Sequence, residues 1–140
     1  MVDQKLVQNK LAQLAEYLND LQEAQGATLE EFRTDKRIRR YLERTLHLAI
    51  ECCLDIGSHI IADNGWREPV DNKDVFYILK EHAVIDDALL PNLQKMAQFR
   101  NVLVHDYTKI DTDIVYRVLK HELSDLREFV RAVNKLLFRT

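Results

Sequence analysis

The run Leu46-His47-Leu48-Ala49-Ile50-Glu51-Cys52-Cys53-Leu54-Asp55-Ile56-Gly57-Ser58-His59-Ile60-Ile61 carries apolar side chains at nearly every angle around a helix. With Ile38, Tyr41 and Leu42 upstream, the pattern predicts a helix over 36–63, about 40 Å long at about 1.5 Å per residue. A helix that is apolar over most of its circumference belongs at the centre of a fold, packed on several sides. One polar stripe survives on it, Arg44-His47-Glu51-Asp55-His59, at helical gaps. It reads either as a solvated face with i,i+4 pairs such as Asp55 with His59, or as the lining of a polar cleft that faces Arg100 and His105. Glu51, Asp55 and His59 span more than two turns, so their ends do not meet at one ion, and no metal site is expected.

Working outward, residues 2–24 place Val2, Leu6, Leu11, Leu14, Leu18 and Leu21 on a narrow apolar stripe, the mark of an amphipathic helix. Gln25-Gly26-Ala27 ends it, and Thr28-Leu29-Glu30-Glu31 has the form of a capping box. Asn64-Gly65 closes the long helix, and the following loop should tuck Trp66 against the core. Asp71-Asn72 can cap a helix over 73–82. The next helix runs from Leu89 towards His105, with Pro91 tolerated in its first turn. A last helix is expected over about 112–138, from Val115 to Leu137. The reading is all-α, one domain over residues 1–140, with no repeats, linkers, phosphate loop or strand pattern.

Three glycines, two prolines and 46% hydrophobic content fit that class. No apolar run approaches the ~20 residues of a membrane span and the first residues do not resemble the start of a signal peptide, so the cytoplasm is expected. The adjacent Cys52 and Cys53 point about 100° apart on a helix and read as packing thiols. A net charge of −3 implies weak non-specific RNA binding and makes local charge decisive. That local charge lies at residues 33–44, where Arg33, Lys36, Arg37, Arg39, Arg40 and Arg44 outnumber Asp35 and Glu43. Cations near a helix N-terminus oppose its dipole, so stability alone does not explain them. A solvated face is the common explanation. A track for RNA phosphates, or a dock for an acidic partner, would engage Arg37 and Arg40.

Chemistry concentrates in Phe99-Arg100-Asn101-Val102-Leu103-Val104-His105-Asp106-Tyr107. Here a guanidinium, an amide, an imidazole and a phenol fall close together. On an unbroken helix Arg100 and His105 lie about 140° apart, while Asn101 and His105 share a face. A helix ending near Asp106 would let Asn101, His105 and Tyr107 converge. From spacing alone, such a histidine is more often a half-buried, hydrogen-bonded side chain than a catalyst.

The string Arg100-Asn101-x-x-x-His105-x-Tyr107 resembles the R-x4-H-x-Y motif of HEPN ribonucleases, and the HepT toxin branch in particular. Arg40-Tyr41-Leu42-Glu43, Asp55-Ile56-Gly57-Ser58-His59-Ile60-Ile61 and Asp111-x-x-x-Val115-Tyr116 extend the likeness over nearly the whole chain. It implies an antiparallel bundle of four to five main helices, paired as a two-fold homodimer with a composite cleft. It also implies an endoribonuclease toxin with Arg100, Asn101 and His105 as catalytic residues, and Arg44, Glu51, Asp55 and His59 as possible cleft lining. RNA supplies its own nucleophile, the 2′-hydroxyl. A histidine, titrating near about 6.5 when free, suits the proton transfers. An arginine fork suits phosphate oxygens. No cofactor or metal is called for. The resemblance further implies a minimal nucleotidyltransferase (MntA-type) antitoxin as partner, and Tyr107 as the acceptor of its AMP groups. The alternative is a catalytically silent helical module that only binds that partner, which the acidic net charge favours.

Overall fold

A computed structural model describes residues 3–105 and 110–138; Val2 and Tyr107 fall outside them. The chain forms α1 (Gln4–Glu23), a 3-10 turn (Ala24–Gly26), α2 (Leu29–Thr34), α3 (Lys36–Asp63), α4 (Asn72–Glu81), α5 (Leu89–His105), α6 (Thr112–His121) and α7 (Leu123–Phe138). No strand occurs among the described residues.

The boundaries follow local chemistry. Asp3 caps α1 by accepting from the Leu6 amide, and Thr28 and Glu31 make the reciprocal capping box of α2. Asp35, Asp71 and Asp111 cap α3, α4 and α6 in the same way. At the end of α3, Gly65 adopts φ +67, the Trp66 amide donates to the Ile61 carbonyl and the Gly65 amide to Ala62. This is a Schellman turn, with glycine where the left-handed backbone needs it. Trp66 then packs against the core and stacks on His82, 3.8 Å between ring centroids.

The end of α4 repeats the turn without a glycine. Ala83 sits at φ 59, with Val84 donating to Leu79 and Ala83 to Lys80. A Cβ in that conformation costs about 1 kcal/mol, so nothing in the local sequence announces the turn.

α3 is the centre of the bundle and touches α1, α2, α4, α5 and α7. Ala49, Ile50, Cys53, Ile56 and Ile60 are wholly buried on it. Long-range bonds fix the directions. Asp3 donates to Asp63, and Lys10 pairs with Asp55, so α1 runs antiparallel to α3. Gln4 reaches Leu137 while Gln22 meets Arg127, so α7 returns along α1. Gly57 lets α4 approach, since a Cβ there would lie 2.7 Å from Val75 Cγ1.

Two expectations need correction. The single helix over 112–138 breaks at Glu122, although neither glycine nor proline is present. Its two halves dock on different partners. α6 is tied to the α1–α2 turn by Tyr116 donating to the Ala27 carbonyl (3.0 Å) and Gln25 donating to the Leu119 carbonyl (2.9 Å). Arg33 clamps Asp113 through two hydrogen bonds, and α7 packs instead on α1 and α5. The second concerns hydropathy. α3 does contain an 18-residue window with mean hydropathy 1.3, long and apolar enough to cross a membrane, but 61% of that window is buried inside the fold. It is a core helix.

Two substitutions between the same residue types should therefore move stability in opposite directions. Gly57→Ala, which in an open helix would gain about 1 kcal/mol, should instead lower the urea midpoint as Val75 and Leu79 are displaced. Ala83→Gly should raise it by about 0.5–1 kcal/mol equivalent through relief of the left-handed alanine.

Candidate active site

α5 packs antiparallel on α3 and carries Arg100, Asn101 and His105 on its last turns. Arg100 turns inward and grips Glu51 of α3 with two parallel bonds, Nε to Oε2 at 2.6 Å and Nη2 to Oε1 at 3.0 Å. Its Nη1 donates to Asn101 Oδ1 at 3.2 Å. The side chain is only 17% exposed, so a guanidinium there requires a carboxylate opposite. An arginine has five N–H donors; these three contacts leave about two for a ligand.

Asn101 Oδ1 also accepts from Asn72 Nδ2 of α4 at 3.4 Å, which turns the Asn101 amide group outward as a donor. His105 is exposed at the end of α5. The helix is unbroken from Arg100 to His105, so the two project about 140° apart. No hydrogen bond joins His105 to Arg100 or Asn101 among the described residues. Tyr107, and with it the expected convergence, lies outside them.

The polar stripe of α3 divides. From His47 onward the steps are of four residues, each advancing about 400° around the helix, so Glu51, Asp55 and His59 drift about 40° per step. Its upper part, Arg44-His47-Glu51, faces α5. Asp55 has already turned towards α1 and pairs with Lys10 at 3.7 Å, not with His59. His59 is half-buried one turn further on. Among the described residues no group of acidic, histidine and cysteine side chains could hold a metal ion.

His47 is the link that sequence reasoning left without a role. Arg44 Nη1 lies 3.2 Å from His47 Nδ1, and arginine can only donate, so Nδ1 accepts and the ring proton sits on Nε2. Nε2 faces Glu51 Oε2 at 3.7 Å. Burial lowers the His47 pKa below the usual histidine range; Arg44 and Arg100 push the same way and Glu51 opposes them. Membership of the α3 stripe was its one signal. Asn72, 29 residues before Asn101 and on another helix, had none.

Comparison with known proteins settles the affiliation. The sequence profile described as ribonuclease HepT-like matches residues 14–133. The chain belongs to the HepT-like family. It is 30% identical over 129 residues to the mRNA nuclease HepT of Shewanella oneidensis, covering 92% of this chain and 96% of that one. It is 23% identical over 136 residues to the tRNA nuclease HepT of Aphanizomenon flos-aquae, covering 97% and 92%. Among solved structures it resembles the tri-AMPylated Shewanella oneidensis HEPN toxin in complex with MNT antitoxin, with TM-score 0.85, 29% identity, and coverage of 96% and 99%. The cytosolic protein YutE of Bacillus subtilis matches at TM-score 0.86 and 25% identity, covering 97% and 91%. An all-α HEPN fold is thereby shared along almost the full chain.

Two measurements probe this network. Glu51→Gln keeps the shape but removes the charge opposite Arg100, and should cost about 1–2 kcal/mol in urea unfolding, given the pair's partial exposure. For His47 the folded pKa lies below the unfolded value of about 6.5, so its contribution is present above that pH and lost as pH falls through the depressed folded value. The melting temperature of the wild-type chain should therefore fall more steeply below about pH 6.5 than that of His47→Gln.

Proposed function

We propose that this chain, read as one domain over residues 1–140, is a metal-independent endoribonuclease toxin whose active site is completed by a second copy in a two-fold homodimer. One observation carries the reading. Arg100 is clamped inward by Glu51, while His105 stands exposed about 140° away on the same helix, so one copy presents half a site. Cleavage needs a base and an acid in the same step, and one imidazole cannot be both. A symmetric pair supplies two imidazoles and two guanidiniums.

In this scheme His105 of one copy removes the proton of the ribose 2′-hydroxyl. The 2′-oxygen attacks phosphorus, and the bond to the 5′-oxygen breaks. His105 of the other copy protonates that leaving oxygen, giving a 2′,3′-cyclic phosphate and a 5′-hydroxyl. Arg100, already fixed by Glu51, turns its remaining N–H groups to the phosphorane charge, and Asn101 adds its outward amide. Arg37 and Arg40, both exposed on α3, would meet RNA or an acidic partner surface.

The HepT-like relatives described as HEPN toxin with MNT antitoxin, and as tri-AMPylated, support a matching partner here. That partner is a cognate minimal nucleotidyltransferase antitoxin of the MntA type, acting in the cytoplasm. Its AMP groups on Tyr107 would put phosphate anions within two residues of His105, where they compete with substrate phosphate.

Purified protein should cleave RNA equally with and without EDTA and leave cyclic-phosphate ends. His105→Ala should reduce the rate by about 10²–10⁴-fold and relieve growth arrest on expression. Cleavage that survives that substitution, or stops with EDTA, would refute the mechanism. A chain that never cleaves RNA but binds the nucleotidyltransferase would leave the silent-module alternative. Co-expression with the partner should add whole adenylate masses to the wild-type chain and none to Tyr107→Phe.

A further inference from the structure

A groove of about 400 Å³ lies between α3 and the end of α5, lined by Arg40, Glu43, Arg44, His47, Leu103 and Ile110. That volume is within the range of small-ligand sites. Its composition is lopsided. Among the described residues Arg40 makes no ion pair, and Arg44 reaches the ring of His47 and no carboxylate. The single carboxylate, Glu43, faces Arg39 at 3.9 Å, outside the lining, and burial raises its pKa while Arg39 and Arg40 oppose that shift. Two guanidiniums thus outnumber the one carboxylate of the lining, in a chain of net charge −3. Opposite them Leu103 and Ile110 are half-buried against the core and present an apolar wall.

Position adds to composition. His47 touches Arg44 on one side and faces Glu51 on the other, and Glu51 holds Arg100. The groove thus begins where the Arg100 clamp ends, about 10 Å along α3 from Arg44 to Glu51. Arg40 and Arg44 are four residues apart, so they project from one face in successive turns.

We propose that this groove is a nucleotide-binding subsite, taking a phosphate on Arg40 and Arg44 and a base against Leu103 and Ile110. The chemistry is that of a nucleoside monophosphate unit, available from two sources. One is the nucleotide beside the scissile bond of an RNA substrate. The other is an adenylate appended to this chain. The assignment of source rests on the nuclease reading; the binding itself does not.

The test uses the full-length chain and AMP as probe, followed by calorimetry or ligand-observed NMR at low salt. Arg44→Gln should weaken AMP binding roughly tenfold, and Arg40→Gln should weaken it while leaving the His47 contact intact. For a short oligoribonucleotide, each substitution should lower the slope of log affinity against log salt by about one. AMP binding that is undetectable, or equal in wild type and the double variant, overturns the proposal. Arginine-dependent AMP binding by a chain that cleaves no RNA upholds the subsite while refuting the nuclease reading. If KM for the oligoribonucleotide rises in Arg40→Gln, the RNA nucleotide is the occupant. If KM holds and the substitution restores cleavage to the adenylated chain, the appended nucleotide is.

Discussion

Two parallel hydrogen bonds between Arg100 and Glu51 hold the site to the core. The residues are forty-nine positions apart, on α5 and α3, and the contact is partly shielded from water, Arg100 more than Glu51. A guanidinium at that depth is stabilised by a carboxylate opposite it. Pairing therefore does two things together. It fixes the register of α5 on α3, and it holds the motif's cation in one orientation before any substrate arrives. Fixed charge that need not reorganise is the most effective kind for stabilising a developing anion. The same carboxylate is within reach of His47, so the clamp is also the hinge of a short polar relay running Arg44, His47, Glu51, Arg100 and Asn101.

α3 serves as both core and site by the arithmetic of helical spacing. Its apolar residues meet five other helices, and a polar stripe stepping by four cannot stay on one face. The portion facing α5 becomes the relay, and the portion carried round towards α1 becomes an ordinary ion pair between Asp55 and Lys10. The chemistry is thus confined to the part of the helix from Arg44 to Glu51, next to the cluster of basic residues. Arg33, within that cluster, is occupied with Asp113 and fastens α2 to α6. Arg39 serves Glu43 and the Arg33 carbonyl. What is left facing outward is Lys36, Arg37, Arg40 and Arg44.

Much of this was readable without coordinates, for reasons that differ by element. The bounds of α3, the capping box at Thr28 and the turn at Gly65 are local events whose signals lie within a few residues. The break at Glu122 is not local. It arises because α6 and α7 are bound by different surfaces, and no residue near 122 records it. The turn at Ala83 is hidden for a related reason: tertiary packing overrides a backbone preference of about 1 kcal/mol. In the site, the stripe on α3 and the motif on α5 were each visible, and so was a cleft between them. Spacing says which residues share a face, and not which side chain on it meets a given partner. Hence the stripe could be set opposite Arg100 and His105, but Glu51 could not be singled out as the residue that grips Arg100, and Asn72 could not be placed at all.

The unbroken helical path from Arg100 to His105 has a consequence for dosage. If reactivity requires two chains to meet, its onset follows the law of mass action, rising with the square of copy number while copies are scarce. Leaky synthesis of a few molecules would then be harmless to the cell, and a modest surplus would cross the threshold abruptly.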